Sequence, residues 1–157
     1  MEAQKTKDRI GRRAVAATDH AFVHRVHDEA YRDLIVRQFG AWDQALEDTY
    51  FENIWSHPGL EIVEFDGEPC GFFCVDSTDD ELFIYEMVLD PNAQGKGIGT
   101  YLLGQVQERS TQEERKLKLE VLRYNGRARA LYERFGFKLV GQNDTHDQME
   151  WLPGSSN

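Results

Sequence analysis

The chain has 157 residues, of which 40% are apolar and 29% charged, a composition typical of a single globular domain spanning residues 1–157. Its formal net charge is −10, whereas a general nucleic-acid-binding protein needs a basic surface. No apolar run is long enough to span a membrane, and we see no signal peptide. We therefore expect neither nucleic acid nor a membrane as partner.

The two cysteines, Cys70 and Cys74, lie four residues apart on a predicted strand. This spacing separates them by roughly 13 Å, which is too far for a disulfide. Neither has a histidine nearby in sequence, so we interpret both as core thiols rather than nucleophiles. Two reduced thiols indicate a cytoplasmic protein.

The first third of the chain predicts helices. Apolar residues recur every fourth position from Phe22 to Leu34, and Gly40 is a natural helix end. Thr18 or Asp19 can cap this helix, which a break near Ala30 or Tyr31 would divide in two. The predicted elements are a flexible tail at 1–8, a short strand at 11–17, a helix reaching residue 39 and a helix at 43–55 with Leu46, Tyr50, Phe51 and Ile54 on one side.

Strands follow. Residues 60–65 and 69–76 flank Asp66-Gly67, a hairpin turn signal. Residues 81–89 are largely apolar on both faces, which predicts a central strand covered on both sides.

A glycine-rich loop, Gln94-Gly95-Lys96-Gly97-Ile98-Gly99, separates the strand at 81–89 from a helix pattern. Such a loop brings free backbone amides to a helix N-terminus and suits a phosphate. The loop does not match a P-loop, because no glycine lies at the required spacing before Gly95-Lys96. It does not match the GxGxxG dinucleotide-binding motif either, because the position of the last glycine is occupied by another residue.

The second half predicts a right-handed βαβ unit, because the helix after the loop leads into a strand at 117–122. Asn125 can cap a helix at 126–135, which Gly136 ends. Residues 137–142 and 148–152 then read as a closing antiparallel pair, and residues 153–157 as a flexible tail.

Three segments together resemble the GCN5-related N-acetyltransferases, the GNAT superfamily: MVLDP, QGKGIG and LEVLRYNGRARALYERFGF. The resemblance covers roughly residues 60–151. It implies an α/β (α+β) fold with a mixed, mostly antiparallel sheet, a splayed central pair of parallel strands and flanking helices. It also implies an acetyltransferase that uses acetyl-CoA and needs no metal.

The resemblance places acetyl-CoA at the splayed strands. Lys96 would add charge beside the pyrophosphate. Arg127 and Arg129 oppose the helix dipole in the first turn of the last helix, so a CoA phosphate would explain one of them, although plain solvent exposure is the alternative. Asn125 would bond the CoA chain, cap the helix, or both. The implied cofactor-binding residues are Met87, Val88, Leu89, Gln94, Gly95, Lys96, Gly97, Ile98, Gly99, Thr100, Asn125, Arg127 and Arg129.

Two residues are candidates for catalysis. Strand alternation puts Glu86 on an apolar face, which should raise its pKa and suit a general base. The alternatives are a carboxylate paired with a buried arginine, or one that binds substrate without proton transfer. Tyr132 falls where the family often has a tyrosine that reaches the thioester sulfur, and its phenol could protonate the leaving thiolate. The alternative is an amphipathic core tyrosine on the apolar face of the last helix, but the position in the family favours the functional role.

The acceptor side should involve Trp42, Asp43 and Tyr50 in the N-terminal helices, although Asp43 is also a natural helix cap. The expected acceptor is a primary amine, in the first instance of a small molecule. A protein lysine or N-terminus, and a non-catalytic acyl-CoA-binding module, are the alternatives. His20, His24 and His27 suggest a metal site, but we interpret them as solvated or substrate-side residues. Homodimers are common in the family.

Overall fold

In this computed structural model, residues 2–154 form a seven-stranded mixed sheet with flanking helices. The strand order is β1-β2-β3-β4-β5-β7-β6, and β4 and β5 are parallel. Part of the predicted carboxyl-terminal tail, residues 155–157, lies outside the described residues. The strands are β1 (Ile10–Ala14), β2 (Leu60–Phe65), β3 (Glu68–Ser77), β4 (Glu81–Leu89), β5 (Lys116–Leu122), β6 (Lys138–Gln142) and β7 (His146–Trp151), and the helices are α1 (Glu2–Lys7), α2 (His20–Phe39), α3 (Gln44–Trp55), α4 (Ile98–Glu113) and α5 (Gly126–Arg134).

The chain divides into two compact units. The first contains the residues up to Cys74 together with Glu86–Tyr101, and the second contains Val75–Tyr85 together with the residues from Leu102 onward. In the first unit, α2, α3 and strands β2 to β4 enclose a core of Val23, Val26, Phe51, Ile54, Leu60, Ile62, Phe72, Cys74 and Val88. In the second unit the buried residues include Leu82, Ile84, Leu102, Leu103, Val106, Leu117, Leu119, Phe137, Met149 and Trp151.

The N-terminal helices largely follow the sequence pattern. Helix α2 is continuous and ends at Gly40, which has a left-handed φ of 89°. The Asp43 side chain caps α3 by accepting a hydrogen bond from Leu46 N. One prediction is wrong: Leu46 and Tyr50 are exposed, and Glu47 lies on the buried face of α3. Helix α1 is an addition, since the sequence pattern does not predict it.

The strands also match their predicted bounds closely. Asp66 and Gly67 both have positive φ, 55° and 81°, as a two-residue type I′ hairpin turn requires. Strand β4 buries Leu82, Ile84 and Val88, but Tyr85 on its other face is 37% exposed. The expectation that both faces are covered is therefore wrong for that face. A tyrosine can cover apolar surface with its ring and keep its hydroxyl in water.

The parallel strands predicted for the βαβ unit are confirmed by the pairing of β4 with β5. The ladder runs from Glu81 opposite Lys116 to Ile84 opposite Leu119, and it ends there although β4 continues to Leu89. Backbone groups of β4 beyond Ile84 are thus outside this ladder. Within residues 2–154, no helix combines the length and apolar character needed to cross a bilayer.

Gly71 of β3 allows a close approach of the β4 backbone at residues 88–89. A Cβ at this position would lie 2.3 Å from the Val88 carbonyl oxygen and 2.8 Å from Leu89 Cδ2. Replacing Gly71 with Ala should therefore force the 88–89 backbone to move. We expect an overpacking cost of about 1–3 kcal/mol in the free energy of unfolding, measured by thermal or urea unfolding.

Gly104 provides the matched control, because no atom lies within 4 Å of a Cβ built on it in the interior of α4. Gly104→Ala should stabilise the protein by about 0.5–1 kcal/mol through helix propensity. A Gly71→Ala protein as stable as wild type would show that the close approach to Val88 is not a constraint.

Candidate active-site residues

The glycine loop presents backbone amides at the start of α4. Gly95 and Gly97 adopt left-handed φ values of 78° and 81°, which only glycine takes at low cost. The first helical bond of α4 runs from Tyr101 N to Gly97 O at 3.1 Å. The amides of residues 97–100 consequently have no acceptor within the helix, and they carry the positive end of its dipole. This is the geometry that binds a phosphate.

Two polar side chains of the loop contact the protein. Lys96 Nζ lies 5.3 Å from the centroid of the Phe65 ring, a cation–π distance. Gln94 Nε2 donates to the Leu89 carbonyl at 3.4 Å. Gln94 therefore joins the loop to the end of β4.

Glu86 lies on the same strand face as the buried Leu82, Ile84 and Val88, as strand alternation predicts. Its partner is Tyr31 of α2, whose hydroxyl donates to Glu86 Oε2 at 2.5 Å. Burial raises the pKa of Glu86 to about 7, and the hydrogen bond from Tyr31 acts in the opposite direction. No arginine pairs with Glu86 among residues 2–154, so the arginine alternative has no support.

Tyr31 is the functional candidate that sequence reasoning missed. It is separated from Glu86 by 55 residues and belongs to a different element. The only local signal is its position on the apolar stripe of α2, one turn after His27, whose ring centroid is 5.1 Å away. A hydroxyl on a buried stripe requires a hydrogen-bond partner, but the pattern does not identify that partner.

In the second unit, Asn125 caps α5, because its Oδ1 accepts from Ala128 N at 3.2 Å. Tyr132 is 8% exposed, and its ring packs edge-on to Phe137 with centroids 5.8 Å apart. Both residues therefore have structural roles. Their proposed roles toward CoA are additional to these.

Arg129 is engaged inside the second unit. It bonds Glu133 at 2.7 Å and Asp147 at 2.8 Å. Burial of Asp147 works against its ionisation, but hydrogen bonds from Gln142 and Arg129 hold its pKa below the usual value. This arrangement accounts for the Arg129 charge at the start of α5, so Arg127 is the better candidate for a phosphate contact.

Of the acceptor-side candidates, Trp42 and Asp43 lie in the α2–α3 connection, and Tyr50 lies farther along α3. Trp42 Nε1 donates to Gln44 Oε1 at 2.9 Å, and Arg32 lies over the Trp42 ring at 5.2 Å. Asp43 is the helix cap described above, and Tyr50 is 52% exposed. The capping interpretation of Asp43 is therefore supported by direct contact.

The three histidines of α2 differ in their surroundings. His20 is 3.7 Å from Glu52, and His24 is 2.9 Å from Asp48. His27 is 4% exposed, so the solvated interpretation is wrong for it. His27 is buried because it lies beside Val26 on the apolar stripe of α2, and this burial lowers the pKa of His27.

Glu47 of α3 is a buried carboxyl that the sequence pattern did not single out. It is 5% exposed. Burial is the main cause of the raised pKa of Glu47, and the nearby carboxylates of Asp28 and Asp43 raise this pKa further. The helix pair α2–α3 thus concentrates acidic groups next to His24.

Both cysteines are free and buried, as predicted. Burial raises the pKa of Cys70 to about 11, so its thiol stays protonated at neutral pH. Neither cysteine is suited to nucleophilic catalysis.

Strand β4 thus carries the partly buried Glu86 and leads through the glycine-rich loop to the N-terminus of α4, within a mixed sheet. The model of the acetyltransferase (GNAT) family matches residues 23–137, and the chain belongs to this family. That range includes Glu86, the glycine loop and Tyr132.

Two related sequences and one solved structure of the same fold show how far the similarity extends. A 5-NmdU N-acetyltransferase of Pseudomonas phage PaMx11 is 32% identical over 86 residues, which span 54% of this chain but only 60% of the phage protein. An uncharacterized N-acetyltransferase of Archaeoglobus fulgidus is 31% identical over 69% of this chain and 79% of its own length. The crystal structure of the PaiA N-acetyltransferase from Thermoplasma acidophilum, in complex with coenzyme A, superposes with a TM-score of 0.74 at 17% identity, over 91% of this chain and 98% of that one. The last comparison establishes the fold.

Proposed function

We propose that this acetyltransferase moves the acetyl group of acetyl-CoA directly to a primary amine, without a covalent enzyme intermediate. The observation that carries the proposal is the Glu86 carboxyl, which is partly buried on β4 and accepts a hydrogen bond from the Tyr31 hydroxyl. An amine acceptor is protonated in water and must lose a proton before it attacks the thioester. A carboxyl with a pKa of about 7 can take that proton, directly or through a water molecule.

The cofactor would be held mainly by backbone groups. The amides of Gly95 to Thr100 bind the pyrophosphate, and the β4 backbone from Met87 to Leu89 pairs with the pantetheine. An amide near Val88 polarises the thioester carbonyl as an oxyanion donor. Arg127 and Asn125 contact CoA from α5. Support comes from the free amides at the start of α4 and from the family to which the chain belongs.

In the transfer step, the amine nitrogen attacks the thioester carbonyl, the new C–N bond forms and the C–S bond breaks. Glu86 receives the proton of the amine, and Tyr132 donates a proton to the departing CoA thiolate. The product is an N-acetyl amine and free CoA, and no metal takes part. The two free thiols support a cytoplasmic setting for this reaction.

The acceptor is a small molecule in our proposal, bound on the α2–α3 side near Trp42, Asp43 and Tyr50. The acidic residues Asp43 and Glu47, at the start of α3, favour a cationic amine electrostatically. A protein lysine or N-terminus, and a non-catalytic acyl-CoA sensor, remain the alternatives.

A screen for amine-dependent release of CoA thiol distinguishes these functions. The panel should contain polyamines, amino acids, peptides with free N-termini, and 5-NmdU, for which the phage relative is named. Background reaction of the protein with a thiol reagent should be low because Cys70 and Cys74 are buried. Turnover with small amines supports the proposal and turnover with peptides alone supports the protein alternative. Calorimetric binding of acetyl-CoA without turnover on any acceptor would make the chain a sensor.

A further inference from the structure

We propose that His24, Asp28 and Asp48 form a binding site for a divalent transition-metal ion on the helix pair α2–α3. His24 Nε2 lies 2.9 Å from Asp48 Oδ1 and 3.6 Å from Asp28 Oδ2. The three donor atoms are all within 4.8 Å of one another. Metal–ligand bonds of about 2.0–2.2 Å at tetrahedral or octahedral angles place neighbouring donors roughly 3.0–3.5 Å apart, so small side-chain adjustments complete the site.

The donors come from two packed helices. His24 and Asp28 are four residues apart on α2 and therefore share a face, while Asp48 projects from α3. The helices are held together here by Phe51, which is almost fully buried and whose ring centroid lies 4.7 Å from that of His24. Ligands on packed helices are held more rigidly than ligands on loops.

Each carboxylate is oriented by a further hydrogen bond. Gln44 Nε2 donates to Asp28 Oδ2 at 2.9 Å and to Asp48 Oδ1 at 2.8 Å. His27 Nδ1 is 3.0 Å from Asp28 Oδ1. A carboxylate oxygen has a second lone pair, so these bonds leave room for a metal. Outer-shell contacts of this kind typically fix the ligands of metal sites.

Glu47 adds to the negative charge around the three donors. The residue is 5% exposed, and it lies close enough to Asp28 and Asp43 for their carboxylates to raise its pKa. Its charged neighbours are the carboxylates of Asp28 and Asp43. No lysine or arginine of the described chain forms a salt bridge with any of these acids, and Arg32, one turn beyond Asp28, lies over Trp42. A bound cation would compensate this concentration of negative charge.

The donor set indicates the class of metal. One imidazole nitrogen and two carboxylate oxygens suit Zn²⁺, Co²⁺, Mn²⁺ or Fe²⁺, whereas Mg²⁺ and Ca²⁺ prefer oxygen ligands alone. The ion would bridge α2 to α3 and so stabilise the first unit. The three donors do not include Glu86 or a residue of the glycine loop, and the ion has no step in acetyl transfer.

Calorimetric titration of the chelator-treated full chain with ZnCl₂ or CoCl₂ alone tests the site. We expect one ion per chain and an increase in Tm on binding. Asp48→Asn keeps the size of a half-exposed side chain and should weaken binding by about tenfold or more. His20→Gln is the matched control, because His20 pairs with Glu52 across the same two helices but has no third ligand, and it should leave affinity unchanged.

Three results would overturn the assignment. They are a wild-type chain that takes up no Zn²⁺ or Co²⁺, an equal loss of affinity in Asp48→Asn and His20→Gln, and a cluster that binds 1,4-diaminobutane but no divalent ion. The last result would show that the acidic groups recognise an ammonium. Visible absorption of bound Co²⁺, lost in Asp48→Asn and retained in His20→Gln, would confirm that the nitrogen and oxygen donors coordinate the ion.

Discussion

Glu86→Gln should lower kcat/KM for the amine acceptor by about 10²–10⁴-fold, the range that a positioned general base contributes. Glutamine has the size of glutamate and can still accept the hydrogen bond from Tyr31, so the β4 backbone should keep its geometry. The KM for acetyl-CoA should stay near the wild-type value, because backbone groups hold the cofactor. Steady-state kinetics with both substrates varied separates these effects.

The pH dependence of the wild type gives a second signature of the same role. Glu86 must be ionised to accept a proton, so kcat/KM should rise with pH and level off above about pH 7, the pKa of this carboxyl. Tyr31→Phe removes the hydrogen bond that opposes the effect of burial, so it should move the rising limb to higher pH. A Glu86→Gln enzyme with wild-type kcat/KM would exclude the base assignment.

Ionisation of Glu86 should increase activity as pH rises, but it should decrease the stability of the folded protein. The folded chain holds the Glu86 proton up to a pKa of about 7, whereas the unfolded chain releases it near 4.5. The folded state therefore binds more protons in this window, and the Glu86 contribution to the free energy of unfolding falls as pH rises through it. Glu86→Gln should raise Tm at pH 8 and change it little at pH 4, as thermal unfolding at both values would show.

Local rules account for most of the fold and for the positions of several site residues. The caps at Asp43 and Asn125, the turn at Asp66-Gly67 and the end of α2 at Gly40 each depend on a few adjacent residues, and each appears as predicted. The face of Glu86 follows from strand alternation in the same way. Such features require no knowledge of what packs against them.

Features that depend on tertiary contacts were missed or mistaken. The Tyr31–Glu86 bond joins two elements, and no local spacing in the chain encodes it. Of the four residues predicted on one side of α3, Phe51 and Ile54 are buried, Leu46 and Tyr50 are exposed, and Glu47 shares the buried face. Burying a carboxyl without a partner costs free energy. A hydrophobicity pattern therefore does not predict Glu47 on the core-facing side of α3.

Tyr132→Phe should lower kcat by about 10²-fold or more if this phenol protonates the CoA thiolate. Phenylalanine keeps the ring that packs against Phe137, so the Tm should change little. Tyr124→Phe is the matched control, because Tyr124 belongs to the same unit and its side chain is exposed. It should retain wild-type kcat.

The alternative for Tyr132 is a purely structural role on the buried face of α5, and kinetics can separate the two roles. A structural tyrosine would alter Tm, and activity would change only in proportion to the folded fraction. A catalytic phenol would alter kcat in a fully folded enzyme whose KM for acetyl-CoA is preserved. Wild-type kcat in folded Tyr132→Phe protein would assign protonation of the thiolate to water or another group, while leaving Glu86 as the base.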